Sequence, residues 1–384
     1  MDGGAFLLLL FFLKLETPRT PFIAGIKAID WVGVVTIVGG VVMFLLGLEA
    51  GGVTHPWDSA YALCLIIFGI LTMALFLVNE WKFAKYPITP VHIFANRSAA
   101  ASFACCFLHG VVFMAGAFFL PLYFQTVLSA SPLLSGVYVM PFALSLSIQS
   151  AAVGIFIKKT GRYREPIWAG FTIMTLGFGL FIDLGPRANW AKIIIYQIIA
   201  GLGVGPNFQA PLIALQSTIQ PSDIATATST FSFIRQLSAS ITVVLGGVIF
   251  TNELAKQGPY LATVLPPKVV AELSASSSGS NTEFLKNLPP TEKEIVNVAY
   301  TSALQKMWIF YTVLAFLGIL VGFLIGNRVL SKKHEETRTG LAEQERVRQA
   351  RMEEKRVRKA GGADPEKQGQ SSPVGDGARK ETGQ

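Results

Sequence analysis

The chain is poor in charge, poor in cysteine and has no acidic residue in the middle of any apolar stretch. Only 15% of its 384 residues are Asp, Glu, Lys or Arg, and three are cysteine. Cys64, Cys105 and Cys106 all lie within apolar stretches, so they read as small packing residues and not as a disulfide framework. There is no His-Glu-x-x-His, no cysteine pair at ligand spacing and no paired carboxylates inside an apolar stretch. Metal and acid–base enzyme chemistry are therefore not expected: no metal, no cofactor and no catalytic residue. A basic groove interleaved with aromatics is also missing, which argues against nucleic acid as a partner. The net charge of +8 does not restore it, because residues 328–384 hold 14 Lys/Arg and 10 Asp/Glu, half of the excess.

Apolar length is present in quantity. The chain is 51% hydrophobic, with 28 phenylalanines, and eight stretches run nearly free of charge: 31–50, 60–79, 99–126, 133–157, 166–185, 193–215, 230–251 and 307–327. At a helical rise of about 1.5 Å per residue, each reaches across a hydrocarbon layer of roughly 30 Å. Soluble helices need a polar face, and only segments with internally satisfied backbones persist in lipid. The expected fold class is all-α, a polytopic membrane protein whose first partner is the lipid bilayer.

Orientation follows from the basic residues in the short loops. Lys14, Arg19, Lys27, Lys82, Lys85, Arg97, Lys158, Lys159, Arg162 and Arg164 fall on one side, against Arg187 and Lys192 on the other. That bias puts the C-terminus in the cytoplasm and the long 252–306 loop outside. The sequon Asn96-Arg97-Ser98 then faces the cytoplasm and stays unglycosylated. All six tryptophans (31, 57, 81, 168, 190 and 308) stand near span ends, as an interfacial aromatic belt requires.

The remaining segments have their own signatures. Residues 1–13 include an apolar run of nine that is too short to span, and they read as the stub of a truncated helix. Ser274 to Thr282 reads as flexible, and Thr291 with Glu294 has capping-box spacing for a helix leading into the last span. Gly340 to Ala360 reads as a solvated charged helix, with lipid contact by its basic residues as the alternative, followed by a disordered end rich in Gly, Ser and Pro. The expected organisation is a stub (1–13), cytoplasmic loops with two linking spans (14–98), a six-span bundle that includes the external loop (99–327) and a charged tail (328–384).

Polar groups within spans are expensive and draw attention for that reason. The third span carries His109, which reads as a structural hydrogen-bonder, and Tyr123 and Gln125 near its outer end. The sixth holds Gly201, Gly203, Gly205, Pro206, Asn207 and Gln209; the seventh holds Arg235. The glycines with Pro206 read as close packing and a kink, and Gly318, Gly322 and Gly326 as a second packing face. For Arg235, snorkelling or an interhelix hydrogen bond stands beside a substrate role.

Five runs stand out in order along the chain: Phe118 to Gln125, Ser131 to Gly136 with Pro141, Gly161-Arg162-Tyr163-Arg164, Gly201 to Gln209 through Phe233-Ile234-Arg235, and Glu336 to Leu341. Together they resemble the major facilitator superfamily, specifically its fungal fourteen-span drug:proton antiporter group. The likeness covers about residues 1–341. It implies an MFS-type helical bundle in which 1–13 is the end of the sixth span and the eight full spans are the seventh to fourteenth. It further implies proton-coupled efflux of drugs or small amphipathic metabolites, multidrug resistance being the associated phenotype, at the plasma membrane or alternatively the vacuolar membrane. Tyr123, Gln125, Asn207, Gln209 and Arg235 are the candidate substrate residues, and Gly161, Arg162 and Arg164 the candidate gating loop. The proton-coupling acid is expected in a missing N-terminal bundle, or the chain works as an oligomer. The alternatives are a siderophore or basic amino-acid transporter of the same superfamily, and a truncated fragment that does not transport.

Overall fold

The computed structural model describes residues 29–51, 54–84, 89, 91–275 and 288–327, with isolated positions at 23, 26, 345, 346, 349, 352 and 353. The chain divides into two compact units, 27–335 and a second made of 1–26 with 336–384. The apolar stub, most of the charged tail and all but the start of the Ser-rich patch lie outside the described residues.

Among the described residues there is no β-strand, and eight helices are long and apolar enough to cross a membrane. They are α1 (Trp31–Ala50), α2 (Ala60–Lys82), α3 (Arg97–Thr126), α4 (Met140–Thr160), α5 (Arg164–Leu180), the pair α6 (Trp190–Val204) and α7 (Ala210–Gln216), α8 (Ile224–Val264), and α9 (Pro290–Gly322). Side-chain caps mark several starts. Asp30 accepts from the Gly33 amide, Ser59 from Ala62, Asn96 from Ser98 and Ala99, and Asn189 from Lys192. Each satisfies amides that the first helical turn leaves without a partner.

α3 is the axis of the bundle. It packs against α7, α8 and α9, and 61% of its most apolar window is buried, against 17% for α1 and α2. α6 lies between α4 and α5, and α9 closes the ring against α3, α5 and α8. α1 and α2 form a hairpin at the side of the bundle, with α1 also touching α8. The hairpin can be this tight because a Cβ at Gly40 or Gly69 would strike the backbone of the facing helix. Its outer side, including Val35, Ile67, Leu71 and Leu75, is exposed. So large an apolar surface suits lipid, where it costs nothing to leave uncovered.

Three expectations meet corrections. α8 does not stop near 251 but runs 41 residues to Val264, so the first part of the external loop is helix. Glu253 and Lys256, an ion pair one turn apart on α8, lower the hydropathy there without breaking the helix. The last span does start beside Thr291, yet Pro289 occupies the cap position without a side-chain bond, and Glu294 pairs with Arg187 instead of closing a capping box. Trp308 is not in the interfacial belt. It is fully buried against Phe178 and Phe181, because its position around α9 turns it toward α5.

Candidate functional site

The site grows from a break in one span. Pro206 and Pro211 have no amide hydrogen to return to the carbonyls of Leu202 and Asn207, so regular α-helix cannot continue through this stretch. A 3-10 turn, Gly205–Phe208, joins α6 to α7. The glycines before it sit on two opposite faces. A Cβ at Gly201 would lie 2.5 Å from the Phe142 carbonyl and one at Gly205 2.8 Å from that of Leu146, both on α4, while one at Gly203 would run into the Met174 backbone on α5. The Gly-x-Gly-x-Gly spacing thus lets α6 be gripped from both sides, the packing role expected for it.

α3 and α8 hold the break. The His109 Nε2–H donates to the Val204 carbonyl at 3.0 Å, which fixes the tautomer because a carbonyl can only accept. The ring of Phe208 meets His109 edge-on at 4.8 Å and Phe113 at 4.9 Å. From α8, the Arg235 Nη2 donates to the Phe208 carbonyl at 2.9 Å, and its guanidinium lies 5.2 Å from the Phe208 ring and 5.1 Å from Phe231. Its Nε is buried without a hydrogen-bond partner. Arg235 stands eleven residues beyond Ile224, about 16 Å along the helix, and its side chain is spent on the 3-10 turn between α6 and α7. Of the readings open in the sequence, the interhelix hydrogen bond is the one this geometry contains.

Beside the break lies a cleft of about 600 Å³ between α4 and the α6–α7 junction. Ser147, Ser150 and Gly154 form one wall, Phe208, Gln209 and Ile213 the other. Gln209 is exposed there, whereas Asn207 is fully buried against Gly170 of α5 and donates to the Gly203 carbonyl at 3.4 Å. The two alternate across the helix, and the cleft takes Gln209. Tyr123 and Gln125 are elsewhere, about 21–24 Å along α3 from His109. Tyr123 donates to the Gly185 carbonyl at 2.9 Å and Gln125 to Ser135 at 2.9 Å, so one braces a loop and the other the short helix Pro132–Tyr138 at the far end of α3.

The α4–α5 loop is built around Gly161, whose φ of 70° is the left-handed conformation that ends α4. Arg162 forms an exposed pair with Glu165 at 3.9 Å, and Arg164 stacks over Trp168 at 4.5 Å. Between them Tyr163 turns inward. Its hydroxyl donates to the Gly326 carbonyl at 3.0 Å and accepts from Ser217 at 3.3 Å, while the Gly326 amide donates to Ser98 at 3.0 Å. Four segments distant in sequence meet in this small network, which the sequence did not single out; its one signal was a tyrosine set among loop arginines. Gly318 packs on the Phe171 ring and Gly322 gives its carbonyl to the Trp168 indole, so the second glycine series also lies at a helix contact.

A family model described as Major Facilitator Superfamily matches residues 26–243. The MFS-type transporter ppz2 of Metarhizium majus is 45% identical over 92% of this chain and 61% of its own length. The efflux pump dotC of Dothistroma septosporum is 44% identical over 90% of this chain and 60% of its own. An MFS-type transporter of Aspergillus terreus is 39% identical over 92% and 65% respectively. The chain therefore spans about three-fifths of the length of these curated relatives. With eight membrane-length helices, a bundle centred on α3 and this extent of match, the chain is a multi-pass membrane protein and belongs to the major facilitator superfamily.

Proposed function

We propose that the chain serves proton-coupled efflux of small amphipathic molecules, with the cleft at the α6–α7 break as its contribution to the substrate path. The observation that carries this reading is Gln209, a polar side chain left exposed at the rim of a mostly apolar cleft of about 600 Å³, beside a span that is not regular helix. Pockets of this size with one or two polar groups take drug-sized molecules, and interrupted spans are where transporters place them. Gln209 acts as the hydrogen-bonding contact; Arg235 positions Phe208, whose ring forms part of the wall. Asn207, Tyr123 and Gln125 act through packing around that wall and at the far end of α3. Gly161, Arg162 and Arg164 form the loop that moves with gating, and Tyr163 anchors it.

Two sequence-level features support the rest. The relatives include one named as an efflux pump, and the excess of basic residues favours a cytoplasmic position for the loop at Gly161 and for the C-terminus, in keeping with export across the plasma membrane. Ile148 and Leu144 are exposed on the open side of α4, so a second bundle or another copy of the chain lying there encloses the cleft. The basic amino-acid alternative draws no support from the cleft, which among its described lining residues has no carboxylate for a cationic substrate. The test is dye efflux from cells expressing the inserted chain, with and without a protonophore. Gradient-dependent export that falls in Gln209→Ala supports the reading; export indifferent to the gradient and to Gln209 overturns it.

A further inference from the structure

A second cavity, of about 760 Å³, lies on the other side of α8, between it and the outer end of the α1–α2 hairpin. Its walls differ in character. Leu45 and Leu46 of α1 face Val243, Val244 and Val248 of α8, which gives it an apolar body. At one end sit the carboxylate of Glu49, the His55 and Tyr61 rings and the hydroxyl of Thr251. The two rings are stacked at 4.7 Å, and the Thr54 hydroxyl lies 3.1 Å from the His55 Nδ1. Two groups there have no partner in the protein. Glu49, an exposed residue that lines the cavity, forms no ion pair or hydrogen bond with the described residues, and the Thr251 hydroxyl oxygen is buried without a partner.

A lone carboxylate at a membrane-span end is ordinarily a solvated one. This one closes an apolar cavity of ligand size and shares it with an aromatic face and an unsatisfied hydroxyl, the set that recognises an alkylammonium head on an apolar body. We propose that this cavity is a second ligand site, separate from the Gln209 cleft, for amphipathic molecules with an ammonium head. Glu49 neutralises the head, Tyr61 offers it a ring face, Thr251 hydrogen-bonds it when it carries N–H, and the valines of α8 hold the tail. The ligand's source is either a soluble organic cation or the ammonium of a phospholipid headgroup.

Gly247 supplies a clean test. It lines the cavity, and a Cβ added to it meets nothing within 4 Å, so Gly247→Leu starts into open space and should fill the cavity, with the Tm as the check that the helices stay in place. The full chain, purified in a maltoside detergent, is titrated with dodecyltrimethylammonium and with dodecyl sulfate, reading intrinsic fluorescence and Tm. The expected result is saturable binding of the cation alone, weakened about tenfold in Glu49→Gln and lost in Gly247→Leu while both variants keep the parent Tm. Repeating the titration in phosphatidylcholine and phosphatidylglycerol nanodiscs separates the sources. Binding kept in both assigns a soluble cation; binding lost only in phosphatidylcholine assigns the lipid headgroup. No binding by the parent chain, equal binding of dodecyl sulfate, or affinity unchanged in both variants overturns the proposal.

Discussion

Arg235 of α8 donates to the backbone carbonyl of Phe208 across the gap between two spans, at 2.9 Å. A charged donor thereby holds a stretch of span that its own prolines keep from regular helix. The contact joins the packing of the bundle to the shape of the cleft, since the residue it grips is also a wall of that cleft.

Arg235→Ala removes the grip, and hydrogen bonds from charged groups are worth about 1.5–3 kcal/mol, so transport should fall on the order of tenfold with insertion intact. Arg235→Lys keeps the charge but loses the flat fork that meets a carbonyl and two rings together, and should recover only part of the activity. Dye efflux normalised to surface-labelled protein checks both. Full activity in Arg235→Ala would return this residue to a passive role.

Gln209 and Asn207 should separate in a matched pair of variants. Gln209→Ala should alter the apparent KM and substrate range and leave the Tm of purified protein unchanged. Asn207→Ala should lower the Tm, through a loss of about 1 kcal/mol, because its side chain is buried between α6 and α5.

Gly203→Ala should destabilise by about 1–3 kcal/mol, because the added methyl has only the Met174 backbone to displace. Gly39→Ala, where a Cβ meets open space, should be neutral or stabilise by up to about 1 kcal/mol from helix propensity. Thermal unfolding in one detergent reads the contrast directly.

Tyr163→Phe deletes a hydroxyl that both donates to Gly326 and accepts from Ser217, at a cost of about 1 kcal/mol. Hydrogen exchange in the segment after α9 should quicken several-fold while the middle of α3 stays protected. Gly161→Ala, forced into a left-handed conformation, should cost a further 1–2 kcal/mol or so by the same readout.

Peptide N-glycosidase should leave the mobility of the chain unchanged. Asn96 is engaged as the α3 cap, accepting from the Ser98 and Ala99 amides, and the bias of basic residues predicts the cytoplasmic side for it. A deglycosylation shift would invert the topology.

The spans were legible because hydropathy measures what lipid demands, and α1 begins and ends where its apolar run does. The end of α8 beyond Thr251 was not, because a helix that leaves the membrane keeps its backbone bonds while its side chains turn polar, as Glu253 and Lys256 do. Trp308 misled for a related reason. Position along the chain gives depth in the bilayer, but which way a side chain points around its helix depends on the neighbours. The glycine run and Arg235 stood out as residue types too costly to be there by accident. That Arg235 serves Phe208, or that Tyr163 meets Gly326, depends on segments brought together only by the fold.

The reach of α8 has a mechanical meaning. A helix of 41 residues is about 60 Å long, roughly twice the thickness of the hydrocarbon it crosses. A tilt of ten degrees about its Ile224 end therefore carries its Val264 end about 10 Å, a displacement that the short loops elsewhere cannot reproduce. Small rocking at the depth of Arg235 is written large in the water above it. A spin label near Val264 paired with one at the end of α2 would turn that geometry into a ruler for the state of the bundle.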